Sequence, residues 1–174
     1  MQRVLIDAHF QVHSLPRPVN AEFSEINYET LSRTNDFLLA AFRDAYRPIL
    51  DEFIERYNPH LFHVQQVGVL GALVLETGLP YVQTVDLADL SAADQNAQLR
   101  NFSEQALENA GRILVADQAL ADEIQRRSPH VAENIVVLSE LTNVNITKLT
   151  PTLIADLTTI YEQVVRQRCG DISP

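Results

Sequence analysis

Residues Asn58–Leu90 read NPHLFHVQQVGVLGALVLETGLPYVQTVDLADL, and the order of signals in this stretch decides the fold. Leu61–Val64 is a short apolar run broken by His63, with polar Gln65 and Gln66 directly after it. Gly68 and Gly71 open a helical segment in which Val69, Leu70, Leu73, Val74 and Leu75 are apolar. Thr77-Gly78 supplies a left-handed helix stop, and Pro80 prevents continuation. Tyr81, Val82, Thr84 and Val85 restart the chain as a strand, because β-branched and aromatic residues dominate there. A strand, a short helix and a second strand in about 25 residues form a βαβ unit, which makes the two strands parallel. Ligands of such sheets meet the loops at the carboxyl ends of the strands. Those loops carry His63, Gln65 and Gln66 after one strand, and Asp86 and Asp89 in an acidic loop after the other.

The flanking sequence repeats this alternation. Val4–Asp7 reads as a first strand, followed by His9, Gln11, His13 and a loop with Pro16 and Pro18. Thr34-Asn35-Asp36 is an N-cap cluster for a helical pattern running from Phe37 to Tyr57. Pro48 interrupts that pattern and predicts a kink or two consecutive helices. Beyond Leu90 a helix is expected over Asp94–Asn109, with Gly111 as its stop. A strand at Arg112–Ala116 follows, then a helix from Asp117 to Arg127 and a strand at Asn134–Leu138. Ser139–Lys148 reads as loop. Thr150 caps a last amphipathic helix whose Leu153, Ile154, Leu157, Ile160, Tyr161, Val164 and Val165 share one face. The expected fold is therefore α/β, a three-layer Rossmann-like domain with a parallel sheet of about five strands. Residues 1–149 form the domain, and residues 150–174 form a C-terminal helix packing back on it.

The composition excludes several functions. The chain has 174 residues, 46% of them hydrophobic, which suits a single globular domain. Its formal net charge of −10 opposes nucleic acid or anionic lipid as main partner, since both require a basic face. A single cysteine, Cys169, permits no internal disulfide or thiolate metal cage, and the expected location is cytoplasmic. The opening apolar run, Val4-Leu5-Ile6, is too short for a signal or membrane-spanning segment. Lys148 is the one lysine. With no GxxxxGK[ST] loop, no GxGxxG after the first strand and no GxSxG, the familiar phosphate, dinucleotide and hydrolase signatures are missing. His9 and His13, with Asp7, fall short of a metal site in ligand count and spacing, so no metal is expected.

Order and spacing over about 100 residues resemble the N-terminal, acceptor-side domain of GT-B glycosyltransferases of the family 4 type. That family shows "PDLIHVH", "GIPYVVTVHGTDL", "ALEGADRIIAVSEALRDEL" and "ADKIVVIPNGVD" blocks. The counterparts are Asn58–Gln65, Gly78–Leu90, Ala106–Ile124 and Val131–Leu138. The family's His-Gly pair is Asp86-Leu87 here, its second histidine is Gln65, and its Ser-Glu is Asp117-Gln118. The resemblance implies sugar transfer from a nucleotide-sugar to an acceptor hydroxyl, with the acceptor on the loops after Val64, Val85 and Val115. It points to Asp86 as the catalytic base and to His63, Gln65, Gln66, Gly68, Asp89 and Asp117 as substrate-binding residues. The donor-binding half is not in this chain. No cofactor is therefore expected in it, and a nucleotide-sugar enters only through a donor-binding partner chain. The alternative is a stand-alone binding or scaffolding domain of glycosyltransferase descent, with homodimerisation through the former inter-domain face. Each residue also has a plain structural reading: Asp86 and Asp89 as helix caps, His63 as a packed histidine, and Gly68 and Gly71 as points of close packing.

Overall fold

A computed structural model of the chain describes residues 3–7, 10–13, 35–65, 67–143 and 150–169. His9 and Gln66 lie outside the described residues, as does the 144–149 part of the expected loop. Among the described residues the sheet has four parallel strands, β3 (Phe62–Val64), β4 (Tyr81–Thr84), β5 (Arg112–Val115) and β6 (Ile135–Val137), in the order β3-β4-β5-β6. This corrects the expected five. The first strand, β1 (Arg3–Asp7), pairs antiparallel with β2 (Phe10–His13) in a separate two-stranded sheet. Only two residues separate β1 from β2, far fewer than the dozen or so that a parallel crossover requires.

Helix α1 (Asp36–Tyr57) runs through Pro48 as one helix rather than two. Pro48 is exposed, so the carbonyl that loses its intrahelical partner faces water, where the loss is tolerated. Asn58 ends the helix in a left-handed conformation, with φ of 42° and its amide on the Ile54 carbonyl at 2.8 Å. Helix α2 (Val69–Leu75) joins β3 to β4 and stops at Gly78, where φ is 71°.

Between β4 and β5 the expected loop and single helix are replaced by two helices, α3 (Leu87–Gln95) and α4 (Ala97–Asn109). Asn96 is extended, and its side chain accepts the Leu99 amide at 2.9 Å, so it ends one helix and caps the next. Arg100 returns from α4 to the last carbonyls of α3, donating to Ala93 and Asp94. Helix α5 (Gln118–Arg127) and a 3-10 turn at Pro129–Asn134 lead into β6. A second 3-10 turn, Ser139–Asn143, precedes α6 (Pro151–Cys169).

Two separate apolar clusters show how the layers stack. Strand residues Val64, Tyr81, Ile113 and Val115 join side chains of α1 to α5, including Leu39, Leu50, Leu73, Leu99 and Ile124. The opposite face, Val82 and Leu114, carries Leu153, Leu157, Ile160, Tyr161 and Val164 of α6. Period-two alternation along β4 and β5 thus feeds both cores. Gly111 permits the close approach of α6. A Cβ there would stand 2.5 Å from Val164 Cγ1 and 3.3 Å from the Tyr81 carbonyl oxygen.

Candidate functional site

The strand order determines where a site can form. An open α/β sheet opens a ligand crevice where its strand order reverses and neighbouring crossovers leave in opposite directions. The four described parallel strands follow one another without reversal. Right-handed crossovers in that order place their helices on one face, and the α1–α5 cluster occupies that face.

Asp86 and Asp89, expected in a loop, stand at the head of α3 and bond each other's backbone. Asp86 Oδ1 accepts the Asp89 amide at 2.9 Å, and Asp89 Oδ2 accepts the Asp86 amide at 3.0 Å. This reciprocal box satisfies two otherwise orphaned N–H groups at a helix start. Asp86 is exposed, whereas Asp89 is buried. Asp117 caps α5 with a single bond, its Oδ1 accepting the Leu120 amide at 2.8 Å, and the residue is exposed. Gln65 is exposed just after β3.

Gly68 serves packing rather than an open cradle. Its φ is 111°, and a Cβ would lie 2.8 Å from Leu99 Cδ1. The space a ligand would need beside it is filled by α4.

His63 lies in the other layer. Its Nδ1 is 2.6 Å from the Tyr161 hydroxyl and its Nε2 is 2.7 Å from Thr84 Oγ1. Alternation along β3 turns the ring toward α6, away from Val64. The residue keeps partial surface exposure, yet protein atoms crowd the ring and burial pulls its pKa down to about 4. The ring is therefore neutral at pH 7. Burial raises the pKa of the Tyr161 phenol, which stays protonated. The structure thus joins Asp86 to Asp89 and His63 to Thr84, but on opposite sides of the sheet, because α3 packs in the α1–α5 layer.

Two further side chains matter here that sequence reasoning passed over. Gln83 is wholly buried, and its Nε2 donates to the Val64 and Thr84 carbonyls, each at 2.9 Å. It thereby ties the carboxyl ends of β3 and β4 together. The signal was a lone amide within the apolar PYVQTV strand, since a buried polar side chain requires partners. Tyr161 carries no such signal, since its spacing marks it only as part of an apolar helix face.

An ion pair joins α5 to α3. Arg127 on α5 holds Asp94 at the end of α3 through two bonds of 2.8 and 2.9 Å. Glu123 accepts from both Arg126 and Arg127, and those bonds hold its carboxyl down at about 2. Among the described residues no group of three or more His, Cys, Asp or Glu side chains is placed to hold a metal ion. Nor is any helix among them long and apolar enough to cross a membrane.

Comparison with protein-family models, with curated proteins and with solved structures finds no match to this chain.

Proposed function

We propose that this chain acts as a non-catalytic binding or scaffolding domain of glycosyltransferase-like descent. One observation carries this reading: the side chains expected to do chemistry at the strand ends are engaged in the fold itself. Asp86, Asp89 and Asp117 cap helices. His63 is enclosed under α6 with both ring nitrogens bonded. A general base must reach the proton it abstracts, and an oxyanion or leaving group needs aimed donors. The carboxyl-end rim instead presents exposed Gln65, Asp86, Leu87 and Asp117, a mixed polar and apolar surface suited to a macromolecular partner or a second copy.

The second reading keeps the chain as the acceptor-binding half of a transferase, with the nucleotide-sugar held by a separate donor-binding chain. The order of its strand and helix blocks supports it. A thermal-stability screen against nucleotide-sugars and candidate acceptor sugars tests both readings. Sedimentation velocity at micromolar concentration is run beside it. Self-association or a co-purifying partner, with no shift from any nucleotide-sugar, is expected for the scaffold. Acceptor-induced stabilisation favours the half-enzyme. Sugar transfer by the purified chain alone contradicts both.

A further inference from the structure

We propose that α6 is a releasable strap, seated on the sheet through His63 and lifted when His63 becomes protonated, which uncovers the apolar face around Val82 and Leu114. Besides His63, the contact between α6 and the sheet is mainly apolar, formed by Leu153, Leu157, Ile160 and Val164 against Val82 and Leu114, with one exposed polar bond from Arg112 to Gln167. His63, Thr84 and Tyr161 form a polar node at its edge. A neutral imidazole has one N–H and one lone pair, and each hydroxyl can donate or accept, so either tautomer is satisfied. A protonated ring has two N–H groups. Both hydroxyls can accept from it, but neither supplies a countercharge. The crowded cation is then solvated only in part, with no opposite charge from either hydroxyl to offset the loss.

The surroundings offer the ring no charge compensation among the described side chains. On α6 the titratable neighbour is Tyr161, whose phenol burial keeps neutral. The charged residues Asp156, Glu162 and Arg166 of that helix are exposed. Strand β4 contributes Val82 and Thr84. Strand β5 contributes Leu114 and Arg112, and the Arg112 guanidinium bonds Gln167 on α6. The 3-10 turn before α6 carries Glu140, which is exposed and bonded to Thr150. Strand β1, which packs on α6, has Arg3 and Asp7 at its two ends.

The α1–α5 cluster contains no residue of α6, so on this proposal the larger core stays folded when α6 lifts. With the ring at about 4 when seated and 6.5 when free, opening rises about 10-fold near pH 5.5 and about 70-fold near pH 4.5.

Hydrogen–deuterium exchange of the full chain tests this at about pH 7.5, 5.5 and 4.5, against His63→Gln at each pH so that intrinsic exchange cancels. The expected result is a rise in α6 opening by those factors in the unaltered protein, with α2 and α4 unchanged and no rise in the variant. An equal rise in His63→Gln, or α4 opening together with α6, overturns the proposal. A second readout needs no variant: the His63 ring is titrated by NMR in the unaltered chain. A midpoint near 6.5 overturns the proposal. A midpoint depressed by two units or so, with α6 resonances broadening over the same range, supports it.

Discussion

Gly111→Ala, alone and combined with Val164→Ala, measures how closely α6 is fitted to the sheet. An added Cβ at residue 111 would lie 2.5 and 3.0 Å from the two Val164 methyl carbons, inside any tolerated separation. The neighbouring Tyr81 carbonyl, 3.3 Å away, belongs to the backbone and cannot rotate aside. Val164 is 0% exposed and lies on the helix, so α6 must shift. Overpacking of this kind costs about 1–3 kcal/mol. Val164→Ala alone removes two methyl groups from a closed site, costing about 1.5–3 kcal/mol from transfer and the residual cavity. In the double variant the new methyl occupies space that the valine methyls vacate. The two costs should therefore fall short of their sum by about 1 kcal/mol or more. Urea denaturation followed by far-UV circular dichroism supplies the four free energies of the cycle. Additivity within about 0.3 kcal/mol would show that Gly111 and Val164 are not in contact and would refute the α6 placement.

The other expectations concern single groups. Tyr161→Phe removes one partner of the enclosed His63 ring and should destabilise by about 1–3 kcal/mol in denaturant titration near pH 7.5; a neutral result places the hydroxyl in water instead. Gly68→Ala should cost about 1–3 kcal/mol from backbone strain alone at φ of 111°. Leu99→Ala should not rescue it, because relieving the side-chain contact leaves the backbone strained. Asp86→Ala should cost about 1 kcal/mol and Asp86→Asn much less, as for other N-caps; equal losses would mean that the carboxylate does more than cap α3. The carboxyls of Asp94 and Glu123 are lowered by hydrogen bonds from their arginines, so their contribution is complete above pH 4.5. It declines as pH falls toward about 2. Arg127→Gln should flatten that acid limb while leaving the His63-linked change between about pH 6.5 and 4 in place.

The parallel βαβ unit was legible because its signals are local. Gly78 needs a left-handed conformation, Pro80 bars a helix, and Tyr81–Val85 favours a strand in any context. The helix at Leu87–Gln95 was hidden for the opposite reason. Its apolar side is made of alanines and one leucine, Ala92, Ala93 and Leu90, which give little periodicity to detect. The capping pair three residues apart, Asp86 and Asp89, was the available cue, and it lacks the usual Ser/Thr–Glu pairing. Long-range facts were beyond local reading. That β1 pairs with β2, that Gly111 receives Val164, and that Tyr161 meets His63 across 98 residues all depend on tertiary placement. The histidine itself could be assigned to one face by alternation, but its partners could not.

The same geometry bears on where a ligand could sit in this fold. A catalytic cleft in an open sheet needs a reversal of strand order or a second lobe closing over the strand ends. Here the four described strands run in sequence, and the face opposite the crossover helices is covered by α6. The carboxylates at those strand ends cap the helices that follow, so their replacement should weaken the fold before it alters any chemistry. His63 occupies the remaining face and links β3 and β4 to the last helix. On this arrangement the histidine expected at the site serves the docking of α6. If α6 is the strap inferred above, the surface it uncovers is the apolar Val82–Leu114 face. A partner reading that face would respond to acidity through His63, whereas a partner at the strand-end rim would not. Measuring partner binding in His63→Gln at about pH 5.5 and 7.5 therefore separates the two surfaces. Rim binding is unchanged by the substitution at both values. Face binding in the unaltered chain strengthens on acidification and loses that dependence in the variant.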